Sequence, residues 1–167
     1  MALYSNYRSQ IRSGDFIAYT SKYKSGWTSI WGFLVSLFTL SRYSHVGIAL
    51  WLGERLFLVS ADIPEVKLEL LSKTKPFYHV PMDLEWNEAR TEDLLEHLGE
   101  RYSILEAIKG FFHANDDKND QWFCTEFSKA FYTGLGLKFS DEMTPSAMVE
   151  DVLEIESKSL TYVDTRG

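Results

Sequence analysis

One cysteine, Cys124, stands among the 167 residues. It excludes an intramolecular disulfide and any zinc cluster built on several thiolates. Basic residues are outnumbered: 17 Lys and Arg face 24 Asp and Glu, giving a net charge of −7 and a sequence pI near 5.1. Coating of a nucleic acid needs clustered cations and is excluded as a role. Metal-ligand spacings are missing as well. The acidic run Asp116-Asp117-Lys118-Asn119-Asp120 lacks the glycine and distal glutamate of a calcium loop, so neither a metal nor a cofactor is expected. The first residues, Met1 to Arg8, lack the basic-then-apolar order of a secretory leader. That start and the lone thiol together predict a cytoplasmic protein. The longest uncharged apolar stretch, Gly26 to Leu40, falls short of the ~20 residues of a spanning helix and is interrupted by Thr28, Ser29, Gly32, Ser36 and Thr39. It reads as a buried or surface-docking helix, which leaves peripheral lipid contact open but no membrane span.

What is present predicts one compact domain over residues 1–167, since 45% of the chain is hydrophobic and no repeat divides it. Aromatic residues make up 15% and suit a core or an apolar cleft built from large side chains. Gly14-Asp15 reads as a turn before a short strand, Phe16 to Tyr19. Val46 to Leu52 and Arg55 to Ser60, joined at Gly53-Glu54, read as a hairpin, and Val66 to Leu70 alternates as a third strand. Pro76 and Pro81 bracket a further strand, whose length they limit or which they confine to an edge. From Asn87 the apolar residues Ala89, Leu94, Leu95, Leu98 and Tyr102 recur at helical intervals. Thr144-Pro145-Ser146 is a helix start, and Leu160 to Asp164 alternates as a closing strand. The fold class expected is α+β, a central, mainly antiparallel sheet with helices packed around it.

Cys124 is either a small packing residue or a reactive thiol. Phe123, Phe127, Ala130 and Phe131 recur at helical spacing behind a candidate cap at Asn119 or Asp120, which sets Cys124 in a first helical turn. Unpaired amides and the helix dipole there favour a thiolate. A nucleophile also needs a base. His45 opens the buried strand Ser44-His45-Val46-Gly47-Ile48, from which an imidazole can be aimed at a helix N-terminus. His79 reads as a strand residue, and His97 and His113 as solvent-facing.

Gly14-Asp15, Ser44-His45-Val46-Gly47-Ile48, the Gly-x-x-Tyr at Gly99 to Tyr102, Phe123-Cys124-Thr125-Glu126-Phe127 and Thr144-Pro145-Ser146 follow one another in a known order. The pattern resembles the circularly permuted branch of the papain-like cysteine hydrolases of NlpC type, the YiiX/YebB-like group, whose wider relatives include the lecithin:retinol acyltransferases. The resemblance implies a papain-like fold, Cys124 as nucleophile and His45 as base, with histidine preceding cysteine in the permuted order. It also implies a third polar residue on the strand after the histidine strand. The aligned position is Ser60, and Asp62 or Glu54 are the alternatives. Tyr102, Trp122 and Ser44 are candidate substrate-binding residues. The activity implied is an amidase or peptidase working through a thioester on a peptide or other acyl-containing small substrate, cell-wall peptides included. The alternatives are a lipid-directed acyltransferase or acyl hydrolase, and a degenerate binding module without catalysis.

Overall fold

The computed structural model describes residues 2–20, 42–62, 65–102, 121–122, 124–157 and 159–166. The expected aromatic helix within Gly26 to Leu40, the residues 103–120 and the N-cap candidates before Cys124 lie outside them. The fold is α+β. In chain order come β1 (Ala2–Leu3), α1 (Tyr4–Tyr7) with a 3-10 turn at Arg8–Gln10, β2 (Phe16–Thr20), β3 (Tyr43–Leu52), β4 (Arg55–Asp62) and β5 (Glu65–Leu70). Then follow β6 (Phe77–Val80), α2 (Glu88–Glu96), β7 (Arg101–Tyr102), β8 (Gln121–Trp122), α3 (Cys124–Gly134), α4 (Pro145–Glu156) and β9 (Thr161–Asp164). The nine strands form one mixed sheet in the order β1-β9-β6-β2-β3-β4-β5-β7-β8. Only the two outer pairs, β1 with β9 and β7 with β8, run parallel.

The hydrophobic run of β3 is explained by burial on both faces. Val46, Ile48 and Leu50 join Phe16, Ala18, Val59 and Ala61 under Phe127, Phe131 and Tyr132 of α3 and Met148, Val149 and Val152 of α4. The opposite face carries Ile17, Tyr19, Ala49, Leu56, Leu58 and Phe77, closed by Ile11 and Leu71 and flanked by Tyr4 and Tyr7. A strand held this way cannot slip, because a shift of one residue would turn its whole apolar set to the wrong side.

The Gly14-Asp15 turn has a structural task. Buried Asp15 accepts hydrogen bonds from the amides of Arg12 (2.7 Å) and Met82 (3.0 Å), and its carboxylate lies 2.7 Å from Nε2 of His79. Nδ1 of His79 is 3.0 Å from the Tyr7 hydroxyl, so the predicted strand histidine is locked into a buried relay rather than left as a ligand. Tyr132 donates its hydroxyl to the Gly14 carbonyl at 3.0 Å and ties α3 to the mouth of β2.

One expectation is corrected, and of two alternatives one is decided. The helix that starts at Asn87, whose side chain accepts from the Arg90 amide, stops at Glu96 and does not reach Tyr102. Gly99 adopts φ +86°, and the Gly99 amide and Glu100 carbonyl bond to Val66. The open hydrogen-bonding edge of β5 captures the chain as β7, overriding the apolar spacing. β6, although bracketed by prolines, lies inside the sheet between β2 and β9. Its ladder amides fall between the prolines, so their missing N–H groups cost the sheet nothing. The cap at Thr144 is as expected, its hydroxyl accepting from the Ala147 amide at 3.1 Å with Pro145 in the first turn.

A side chain at Gly47 has no room. A Cβ there would lie 2.8 Å from Leu58 Cδ1, Ser60 Cβ and the Val59 carbonyl oxygen. Gly47→Ala is expected to destabilise the protein by roughly 1–3 kcal/mol, read as a lower midpoint in urea unfolding.

Candidate active site

Cys124 occupies the first turn of α3 and is 6% exposed. The helix is anchored along its length rather than at its tip. Phe127, Phe131 and Tyr132 are buried against the sheet, and Lys129 donates its ammonium to the carbonyls of Ser140 and Glu142. The helix closes with the Gly136 amide on the Thr133 carbonyl (2.8 Å) and the Leu137 amide on the Tyr132 carbonyl (3.1 Å). The sulfur is thereby fixed with respect to β3.

His45 lies near the start of β3, half-buried, directly across from Tyr19 of β2, with the two rings 5.9 Å apart. The register of this pair slips between Tyr19 and Thr20, so Ser44 is an extra residue on β3. Such bulges bend a strand and re-aim its side chains. Ser44, half-buried, directs its hydroxyl to the Tyr19 carbonyl at 3.5 Å, which makes it part of the bulge.

Burial pushes the thiol pKa of Cys124 up, but the charge and hydrogen bonding of the His45 imidazole, helped by the Val46 amide and the Thr125 hydroxyl, hold it below the ordinary cysteine value. The Thr125 Oγ1 is 3.9 Å from the sulfur. Burial pushes His45 down, and the Cys124 charge, its hydrogen bond and the Asp62 carboxylate outweigh this together with the opposing Lys67, so its pKa is raised. Both shifts favour a thiolate beside an imidazolium.

The three candidates for a third group separate on geometry. Ser60 is 1% exposed, its Cβ packs at Gly47, and its hydroxyl has no hydrogen-bond partner among the described residues. Glu54 sits in the turn at the far end of the β3–β4 hairpin, roughly 20 Å or more from His45 at the usual ~3.3 Å per residue. Asp62 is the carboxylate whose charge acts on His45, and it is held by Lys67 at 2.7 Å, with Glu69 3.9 Å from the same ammonium. Ser60 and Asp62 project from the same face of β4, so they differ in position along the strand and not in facing. Tyr102 and Trp122 pair with one another as β7 and β8, but their side chains lie outside the described residues. His97, expected in solvent, is half-buried, 3.0 Å from Glu100 and edge-on to Phe127.

Among the described residues no three His, Cys, Asp or Glu side chains are grouped to hold a metal ion, and no helix is long and apolar enough to cross a membrane. No family model and no curated protein matches the chain. A solved structure does: the metalloprotein yiiX from Escherichia coli O157:H7 (DUF1105), at TM-score 0.55 and 19% identity, over 84% of this chain and 80% of that one. The likeness establishes a YiiX-like fold.

Because Cys124 is the sole thiol, its ionisation can be read directly from the pH dependence of alkylation by iodoacetamide. The midpoint is expected below the free-cysteine value of ~8.5. In His45→Ala the opposing charge is gone and burial remains, so the midpoint is expected to rise above that of the wild type.

Proposed function

We propose that the chain is a cysteine hydrolase of the permuted papain-like, NlpC type, an amidase or peptidase that works through a thioester on Cys124. The reading is carried by one observation, the pairing of a thiol at a helix start with an imidazole near the start of a rigid strand, each of which favours the other's charged form. The motif order supports it.

In this mechanism His45 removes the Cys124 proton, and the thiolate sulfur attacks the carbonyl carbon of an amide. The negative charge that develops on the carbonyl oxygen is met by the Cys124 amide at the start of α3, where helix N–H groups lack intrahelical partners. Collapse breaks the C–N bond, and the imidazolium gives its proton to the departing nitrogen. Water, deprotonated by the same imidazole, then attacks the thioester, releasing the acid and restoring the thiol. Asp62 is assigned the positioning role, stabilising the imidazolium through its charge, with Lys67 limiting how far that carboxylate raises His45.

Labelling of Cys124 by an activated acyl ester, followed by mass spectrometry, tests the reading. His45→Ala is expected to slow acylation by about 10²-fold or more, Asp62→Asn by less, and Ser60→Ala hardly at all. Equal labelling of wild type and His45→Ala, or a wild-type thiol no more reactive than free cysteine, would overturn it in favour of a binding module.

A further inference from the structure

Three residues before His45, at the bend just ahead of β3, stands Arg42, an exposed arginine in a chain whose acids outnumber its bases. Its guanidinium carbon lies 5.6 Å from the centre of the Tyr43 ring and 5.7 Å from that of Tyr78. The rings are braced in turn: Tyr43 and Tyr78 meet edge to face at 5.6 Å, and Tyr78 and Tyr162 at 5.3 Å. Tyrosines of β3, β6 and β9 thus build a shelf across three strands, with the cation at its outer end.

This corner shares a side of the sheet with the thiol. Tyr43 and Cys124 belong to the same buried cluster, and Tyr78 packs against it. Arg42 meets no carboxylate among the described residues. Glu150 of α4 acts on Tyr43. A guanidinium set over two rings, meeting no carboxylate among the described residues, retains N–H donors for a planar anion. Arg42 and His45 are three residues apart, at most roughly 10 Å of extended chain at ~3.3 Å per residue. That span equals about three residues of extended peptide.

We propose that Arg42 is a specificity residue that binds the carboxylate of a short acidic or carboxyl-terminal peptide, two to three residues from the bond presented to Cys124. The inference rests on the hydrolase reading for the identity of that bond, but not for the binding itself. A carboxylate is favoured over a phosphate for two reasons. One flat guanidinium matches two oxygens, and among the described residues no second cation stands with Arg42 on the shelf to offset a second negative charge in a chain of net charge −7. The cation–π shelf orients the fork, which lysine cannot reproduce.

The test uses Cys124→Ala, which removes the nucleophile and leaves the shelf. Binding of an N-acetylated alanine tripeptide is compared with that of its C-terminal amide by NMR titration. The acid is expected to bind about tenfold more tightly than the amide. The ratio is expected to fall to near one in Arg42→Gln, to be partly kept in Arg42→Lys, and to be unchanged in Arg55→Gln, which deletes the same charge from the far end of the β3–β4 hairpin. Equal binding of acid and amide, no binding of either, or tighter binding of glycerol phosphate than of the acid would overturn the proposal. Acylation of the wild-type thiol is scored separately. An acid preference without acylation would sink the hydrolase and keep Arg42, and acylation without an acid preference would do the reverse.

Discussion

Ionising a buried thiol is unfavourable unless a positive charge is delivered to it, and delivering that charge is the constraint around which this sheet and its helices are arranged. The imidazole of His45 itself is disfavoured as a cation by burial. Each group is tolerable as an ion only because the other is there. Such a pair has to be held by parts that do not yield, since a small increase in separation removes the attraction and leaves two desolvation costs. The double-sided burial of β3 and the anchoring of α3 through Tyr132, Lys129 and the turn at Gly136 meet that requirement.

Electrostatics around the pair are graded rather than simply favourable. Asp62 raises the basicity of His45, and Lys67, 2.7 Å from Asp62, opposes it. Both are about two-fifths exposed, so water and salt weaken their influence, whereas the sulfur and the imidazole act on one another at close range. The site therefore has a strong inner interaction and a soft outer one. The buried Asp15–His79–Tyr7 relay is of a different kind, since every member is satisfied within the fold and its work is to hold the turn before β2.

Much of this was legible in the residues, for physical reasons. The β3–β4 hairpin, the strand at 66–70, the Thr144 cap and the helix beginning at Cys124 each announce themselves by short-range rules of period, turn and cap. Tyr102 was misread because its apolar spacing continues that of α2, while the forces that end the helix, the Gly99 backbone and the unpaired edge of β5, act from elsewhere in the sheet. Ser60 and Asp62 could not be separated by alternation, which gives them the same face. Only the distance along β4 at which a carboxylate reaches the imidazole distinguishes them. Asp15 and His79 are 64 positions apart, and nothing local signals that they meet.

The order of the two groups, histidine well before cysteine in the chain, has a bearing on when they can meet. The β3–β4–β5 meander is made of neighbours in the chain and can form early, as local contacts do. The sulfur comes from a helix far downstream, 79 positions after the imidazole. A chain emerging from the ribosome therefore carries its imidazole well before the sulfur that it faces, and the two groups can meet only once the downstream helix has been made.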